Sequence, residues 1–302
     1  MSALRWRIKR KLRELLSLPY RVEVNSRLLG RLTINQILNS GRMDSIQKAE
    51  FKVSSQGGED GIIQYIINMI PIENKSFIEF GVQYYTESNT RFLLMNNDWK
   101  GLVIDGGKEY IDYIRHDESV HLMHDLTALQ KFITTENINQ IFEEAGFVGD
   151  IGLMSIDVDG MDYWLWDAVR VVKPRIVICE YNSIFGPERA ITVPYSPEFY
   201  RRKAHFSELY FGASLAAFCV LAAKKGYEFV GCTSGGVNAF FVRKDVAHQL
   251  PKLTARDGYV MSHNRESRDR KGAHTYLGGD DRLKVIKGLP VFDVSSNTVG
   301  PL

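Results

Sequence analysis

Short apolar runs alternate with stretches of helical periodicity through the central part of the chain. Five of these runs predict β-strands, at residues 75–81, 100–106, 119–124, 150–157 and 174–181. The intervening segments favour helices, as at residues 89–97, 135–146 and 162–172. Alternation of this kind is typical of a parallel sheet with helices on both of its faces.

The pattern changes after the fifth predicted strand. Residues 206–226 form one long helical stretch, and residues 227–243 contain two β-rich runs joined by Thr-Ser-Gly-Gly. Such a pair predicts a hairpin, so the last strand should run antiparallel to the others. Five parallel strands, a helix and a closing hairpin match the Rossmann-like, seven-stranded α/β sheet of class I methyltransferases.

The same pattern predicts four regions along the chain. They are a basic amphipathic helix (1–21), a helical lead-in (22–74), the α/β domain (75–245) and a loop-rich extension (246–302). With 302 residues, 44% hydrophobic and 25% charged, the composition is that of an ordinary globular protein. The longest nearly continuous apolar run, 213–223, is shorter than the ~20 residues that span a bilayer. We therefore expect a cytoplasmic protein with reduced thiols at Cys179, Cys219 and Cys232.

The positive charge is concentrated at the start of the chain. Residues 1–21 hold seven Lys or Arg against one Glu, whereas the whole chain has a net charge of only +2. Leu4, Ile8, Leu12 and Leu15 follow helical spacing among these basic residues. Residues 1–16 therefore predict a helix lying peripherally at the inner face of a membrane or against an acidic partner. A terminal helix docked on its own domain remains the alternative, and no nucleic-acid partner is expected.

Polar residues at the strand ends are the candidates for ligand binding, because open α/β sheets bind ligands beyond the carboxyl ends of their strands. Gly81 is a single glycine, which suits a nucleoside without a phosphate better than a dinucleotide. Asp105 ends the second strand, where a carboxylate can bind both ribose hydroxyls, or cap the next helix. The remaining candidates for binding S-adenosylmethionine are Glu79, Glu87, Asn89, Asp157 and, on the adenine side, Asp125.

Acidic residues are concentrated after the fourth and fifth predicted strands. Asp157, Asp159, Glu180 and Asn182 should meet in one pocket, where their oxygen atoms suit Mg²⁺ or Mn²⁺. A metal there would lower the pKa of an acceptor hydroxyl. In the alternative, these carboxylates lie beside the cofactor without a metal, and Asp162 begins the next helix.

Several stretches together resemble one enzyme family. They are "SSQGGEDGIIQYI", "SFIEFGVQYYTESNTRFLL", "WKGLVIDG", "MSIDVDGMDYWLWDAV", "PRIVICEYNSIFGP", "YFGASLAAFCVLAAKKGY" and "GGVNAFFVR". In this order, over residues 53–245, they are similar to FkbM-type S-adenosylmethionine-dependent methyltransferases associated with bacterial surface polysaccharides. The resemblance implies a cofactor loop at "FIEFG", a ribose ligand at Asp105 and a reaction centre at "SIDVDG". Tyr84 and Tyr85 depart from the family, which usually has a small residue there.

Other candidates are less specific. His205 is the preferred general base, together with Asp157, although a surface histidine is the alternative. Three arginines of the C-terminal segment could hold an anionic sugar or form a salt-bridged loop with Glu266 and Asp269; they are Arg265, Arg268 and Arg270. Three aromatic residues favour the core over a binding platform, and they are Tyr163, Trp164 and Trp166.

The sequence thus predicts an O-methyltransferase that acts on a hydroxyl of a sugar or glycan. Two rivals come from other classes. The triplet Asp157-Val158-Asp159 is also found in metal-dependent glycosyltransferases that use nucleotide sugars. The departure at Tyr84 and Tyr85 leaves open a non-catalytic scaffold with a degenerate methyltransferase fold.

Overall fold

A seven-stranded sheet forms the centre of the molecule. The computed structural model describes residues 3–302, without the side chains of residues 3–5, 13, 14, 16 and 19. The strands of the main sheet are β1 (Ser76–Phe80), β2 (Lys100–Asp105), β3 (Leu126–Gln130), β4 (Gly149–Ile156), β5 (Val172–Glu180), β7 (Tyr227–Cys232) and β8 (Asn238–Arg243). Their order is β3-β2-β1-β4-β5-β8-β7, and only β8 runs antiparallel to its neighbours. The predicted class I methyltransferase fold is confirmed.

Helices cover both faces of this sheet. They are α1 (Ala3–Leu16), α2 (Leu18–Asn39), α3 (Glu59–Met69), α4 (Arg91–Asn97), α5 (Lys108–His116), α6 (Glu118–His121), α7 (Ile138–Glu144), α8 (Asp162–Ala168), α9 (Arg201–Ala204), α10 (Leu215–Lys225), α11 (Ala255–Gly258) and α12 (Asp280–Ile286). None of those in the described part of the chain is long and apolar enough to cross a membrane.

Apolar side chains pack on both sides of the central strands, which explains why β1 is an unbroken buried run. Ile78 and Phe80 belong to one core cluster, whereas Phe77 belongs to the cluster on the opposite side. The predicted aromatic residues Tyr163 and Trp166 are buried in the core, as expected. The three cysteines are free thiols, as predicted.

The prediction of a third strand at residues 119–124 is wrong. Asp117 accepts a hydrogen bond from the backbone N–H of Ser119, and α6 follows from this cap. Val120 faces the core, while Leu122 and Met123 are exposed. The true β3 is the next segment, residues 126–130, at the edge of the sheet.

One further prediction needs correction. The long helix expected at 206–226 is only α10, because the Ser214 side chain accepts a hydrogen bond from the N–H of Ala217 and so begins the helix there. The predicted loop-rich extension, residues 246–302, contains the short helices α11 and α12 and two short strands, β9 (Pro290–Asp293) and β10 (Thr298–Pro301). With β6 (Ile191–Thr192), these strands form a second sheet of order β10-β9-β6.

Candidate functional site

The carboxyl ends of β1 and β4 approach each other closely at Gly81. This residue has φ +83°, and a Cβ atom on it would lie 1.5 Å from the carbonyl oxygen of Asp157. The N–H of Asp157 donates a hydrogen bond of 3.3 Å to the carbonyl of Phe80. Only glycine therefore allows the chain to leave β1 past the end of β4, and the glycine predicted to matter is required by backbone geometry.

Glu79 holds the loop that follows Gly81. Its carboxylate accepts hydrogen bonds from the N–H groups of Asn89 (2.9 Å) and Thr90 (3.0 Å), and from the Thr90 hydroxyl (2.5 Å). Burial raises the pKa of Glu79 to about 7, in spite of these donors. These contacts show that Glu79 shapes the loop, and its contact with a cofactor stays a prediction.

Other side chains of this loop differ in their surroundings. Asn89 is buried and donates a hydrogen bond from Nδ2 to the Ser155 hydroxyl of β4, at 3.0 Å. Glu87 is exposed and pairs with Lys52 at 3.3 Å. The Ser88 hydroxyl is buried and has no hydrogen-bond partner among the described residues. A buried hydroxyl without a partner is costly, so Ser88 marks a place where a polar ligand group would fit.

Asp105 lies at the end of β2, facing the same loop. Its Oδ2 accepts a hydrogen bond from the N–H of Gln83 (2.8 Å), and its Oδ1 accepts one from the N–H of Gly107 (2.7 Å). The carboxylate thus ties the β1 loop to the start of α5. Each oxygen keeps a second lone pair that can accept a further hydrogen bond. The predicted ribose contact and the alternative role at the helix start are therefore compatible.

Asp125 lies at the amino ends of the strands, whereas the candidate site lies at their carboxyl ends. It precedes β3 instead of following it, and its carboxylate pairs with Lys100 at the amino end of β2, at 3.5 Å. The prediction that Asp125 contacts adenine is therefore wrong, because the strand was placed one segment too early. At the carboxyl end of β3 the exposed residue is Phe132, which lies 3.5 Å from the Cβ position of Gly106.

The two tyrosines that depart from the family pattern point in different directions. Tyr85 is buried, and its hydroxyl shares a hydrogen bond of 3.0 Å with the Thr90 hydroxyl. Tyr84 is exposed and packs edge-on against Tyr110 and Tyr113 of α5. Tyr85 therefore belongs to the core, and Tyr84 extends an aromatic surface on α5.

Asp157, Asp162 and Glu180 form an acidic cluster at the ends of β4 and β5, in which Asp162 is buried and the other two are partly buried. Burial raises the pKa of Asp157 well above its ordinary value, and the charges of Asp162, Asp159 and Glu79 raise it further. Burial and the neighbouring Asp157 raise the pKa of Glu180 in the same way. The like charges of these carboxylates oppose one another's ionisation, so each takes up a proton more readily than an isolated carboxylate would.

Within this cluster the carboxylates have different partners. Asp162 accepts hydrogen bonds from the N–H groups of Val158 and Gly160, each at 3.0 Å, and begins α8 as predicted. Burial raises its pKa to about 7. Glu180 Oε2 is buried and has no hydrogen-bond partner among the described residues. Asp162 therefore shapes the turn, whereas Glu180 is available to a ligand.

Arg201 supplies the positive charge of the site. Its Nη1 lies 3.0 Å from Oδ1 of Asp159, and its Cζ lies 3.8 Å from the ring centre of Phe211. The guanidinium lowers the pKa of both Asp157 and Glu180, so it partly offsets the effect of burial. No local sequence pattern singles out this residue, because Arg201 lies in an ordinary basic run far from Asp159 along the chain.

The predicted magnesium or manganese site is not supported. Over residues 3–302, no three His, Cys, Asp or Glu side chains are arranged to hold a metal ion. Asn182 is wrong as a ligand: its Nδ2 donates to the carbonyls of Leu209 and Phe211, and its Oδ1 accepts from the N–H of Ile184. Asp159 is held by Arg201 instead of sharing a metal with Glu180.

A cavity of about 40 Å³ adjoins Glu180 and Arg201. Its other walls include Phe211, Asn264 and Arg282. Arg282 is buried and donates hydrogen bonds to the carbonyls of Asn264 (2.7 Å) and Ser262 (2.9 Å). The C-terminal segment therefore forms one wall of a polar cavity beside the acidic cluster.

His205 does not line this cavity. Its Nδ1 is 2.7 Å from the Ser207 hydroxyl, and its ring lies 4.3 Å from that of Phe206, centre to centre. Burial and the charge of Arg270 lower the pKa of His205. The contacts described for His205 do not include Asp157 or Glu180, so its predicted role as general base is not supported by position.

The three C-terminal arginines do not converge on a common site. Arg268 pairs with Glu208 (2.7 Å) and Glu266 (3.7 Å), as in the salt-bridged alternative. Arg270 lies over the ring of Phe206, and Arg265 donates to the carbonyl of Tyr276. These contacts do not support a site in which the three arginines together bind an anionic sugar.

Comparison with known proteins gives only distant likenesses. No family model matches the chain, and no curated protein matches it either. Among solved structures it is similar to StiE O-MT, with 12% identity and a TM-score of 0.33 over 52% of this chain and 47% of that one. The chain thus spans about half the length of that structure.

Two further solved structures are similar to the same extent. An O-methyltransferase from Bacillus cereus in complex with SAH has 13% identity and a TM-score of 0.36, over 55% of this chain and 72% of that one. Precorrin-6y C5,15-methyltransferase from Geobacter metallireducens GS-15 has 14% identity and a TM-score of 0.37, over 65% and 92%. At these identities and scores, the likenesses do not assign an activity to this chain.

Proposed function

We propose that this protein is an S-adenosylmethionine-dependent O-methyltransferase that acts on a hydroxyl of a sugar or glycan in bacterial surface-polysaccharide biosynthesis. One observation carries the proposal. Two partly buried carboxylates, Asp157 and Glu180, end adjacent strands beside the Gly81 loop, and Glu180 lines a polar cavity. The sequence resemblance over residues 53–245 supports the choice of cofactor and of acceptor class.

The residues present fit a nucleoside cofactor with an amino-acid end. Asp105 would accept hydrogen bonds from the ribose hydroxyls with its free lone pairs. The partnerless Ser88 hydroxyl would bind the amino-acid end. Phe132 would offer an apolar surface to the base. When bound, S-adenosylmethionine supplies an electrophilic methyl group to an acceptor oxygen.

The acidic cluster would take the proton that the acceptor hydroxyl loses. A general base works best when its pKa lies near the working pH, and burial moves Asp157 and Glu180 in that direction. Glu180 Oε2 is the atom without a partner, and Glu180 lines the cavity. We therefore assign the proton to the Asp157–Glu180 pair and not to His205. Alignment of the two substrates would supply most of the remaining rate enhancement.

Calorimetry with S-adenosylmethionine tests the cofactor site. The variant Asp105→Asn should bind at least tenfold more weakly, since one hydrogen-bond acceptor of the carboxylate becomes a donor; tenfold corresponds to about 1.4 kcal/mol. Asp125→Asn is the matched control, because that carboxylate lies at the amino ends of the strands, away from the site. Equal losses in the two variants, or none in Asp105→Asn, would remove Asp105 from the site.

The same experiment separates the rival functions. Binding of a UDP-sugar but not of S-adenosylmethionine would favour a glycosyltransferase, and binding of neither would favour a scaffold. If the cofactor binds, methyl transfer to a panel of glycans should be lost in Asp157→Asn and Glu180→Gln while cofactor affinity is kept. Full activity in both variants would contradict the assignment of the proton acceptor.

A further inference from the structure

Helix α2 has one face that is fixed to the α/β domain. A Cβ atom on Gly30 would lie 2.9 Å from the ring of Phe92, so the two helices α2 and α4 pack closely there. Arg31 donates a hydrogen bond of 2.8 Å to Asn96, and Glu23 lies 3.5 Å from Arg91. These contacts fix which side of α2 faces the solvent.

The opposite side of α2 is apolar and exposed. Leu18, Val22, Leu29 and Leu32 are 52%, 55%, 63% and 62% exposed. They follow one another at intervals of three, four or seven residues, which places them on one side of a helix. A globular domain normally buries such a row of apolar side chains. Its exposure indicates a surface that binds another molecule or a membrane.

Helix α1 continues this row. Ser17, between the two helices, has right-handed helical backbone angles, and the N–H of Arg21 donates to its carbonyl at 3.0 Å. Ile8, Leu12 and Leu15 are 57%, 55% and 65% exposed. Of the pattern predicted for residues 1–16, the side chains of Leu4, Arg5 and Arg13 lie outside the described residues. We call Ile8, Leu12, Leu15, Leu18, Val22, Leu29 and Leu32 the apolar face.

Basic side chains flank the apolar face on α1. Arg7, Lys9 and Lys11 are exposed, and residues 1–21 carry seven Lys or Arg against one Glu. A second copy packed in parallel on this face would bring two clusters of like charge together. An anionic lipid surface would neutralise them.

We propose that the apolar face lies in the interface of an anionic bilayer, with α1 and α2 both parallel to the membrane plane. The contact thus extends beyond residues 1–16 to Leu32, on a helix that is packed against the domain. The domain would be held at the surface in one orientation, because α2 cannot rotate without breaking its contacts with α4. This inference does not depend on the enzymatic activity.

Co-sedimentation with vesicles tests the proposal on the full chain. Vesicles of phosphatidylcholine with about 30% phosphatidylglycerol should bind the protein at low salt, and vesicles of phosphatidylcholine alone should bind it far less. The double variant Leu29→Ser with Leu32→Ser should bind roughly tenfold more weakly, because both side chains leave the lipid. Binding should also fall in 0.5 M salt, since salt screens the basic residues.

The control is the double variant Leu122→Ser with Met123→Ser, which removes two other exposed apolar side chains. It should bind like the unmodified chain, and both variants should melt within a few degrees of it. Equal binding by the two double variants would overturn the proposal, as would no binding to anionic vesicles. A dimer that sediments as such without lipid and is lost in the Leu29–Leu32 variant would assign the face to a second copy instead.

Discussion

Glu79 should make the protein less stable as the pH rises. Its pKa rises from 4.5 to about 7 on folding, so between these values the folded state keeps a proton that the unfolded state has lost. Increasing pH then favours unfolding, and the loss is complete above pH 7. At about 1.4 kcal/mol per pKa unit, the difference amounts to roughly 3 kcal/mol.

The variant Glu79→Gln isolates this contribution. The amide loses some of the three hydrogen bonds to Asn89 and Thr90, which lowers stability by an amount that does not depend on pH. Urea denaturation of both proteins at pH 4, 6 and 8 should therefore show the unmodified chain losing about 3 kcal/mol relative to the variant between the extremes. Titrating groups that do not interact with Glu79 cancel in this difference.

The control for this experiment is Glu87→Gln, which removes an exposed carboxylate from the same loop. Its surface pair with Lys52 should contribute little to the free energy of unfolding. If the free-energy difference between the unmodified chain and Glu79→Gln is the same at pH 4 and pH 8, the reasoning is wrong. In that case the three donors keep Glu79 ionised in the folded protein.

Three further outcomes are expected. Gly81→Ala should lose more than about 3 kcal/mol of stability by urea denaturation, because its Cβ meets the Asp157 carbonyl, whereas Gly186→Ala, with φ +72° and open space, should lose about 1–2 kcal/mol; similar losses would contradict the close approach. Arg201→Gln should move the acidic limb of the pH–rate profile to higher pH, and an unmoved limb would separate Arg201 from the acidic cluster. Phe132→Ala should weaken S-adenosylmethionine binding in calorimetry without lowering the melting temperature, and unchanged affinity would remove Phe132 from the cofactor site.

The central strands could be predicted from the sequence because both of their faces are buried. β1, β2, β4 and β5 are mostly apolar and mostly buried, so each is recognisable without knowledge of its neighbours. β3 lies at the edge of the sheet, and only two of its five residues are fully buried. Its sequence therefore lacks a continuous apolar run, and the more apolar segment before it, residues 119–124, predicts a strand instead. That error alone led to the prediction that Asp125 lies at the carboxyl end of a strand.

The strand-end residues of the site were predictable, but their partners were not. Gly81, Asp105 and Asp157 follow directly from where the strands end. The position of Asn182 at a strand end favours a ligand role, yet short polar side chains there often bind the adjacent backbone. The proximity of Arg201 to Asp159 results from the tertiary fold, and a single sequence contains no local pattern that reports it.

The pairing of β6 with β9 has a consequence for the order of folding. Ile191 pairs with Asp293, about 100 residues further along the chain, and the cavity wall that contains Asn264 and Arg282 lies between them. Closing so large a loop is slow and costs entropy, so this small sheet should form after the seven-stranded core. It should also open first under native conditions, so that amides of β9 exchange with deuterium before those of β4. The protein would then complete its cavity only at the last step of folding, and could lose it without losing its core.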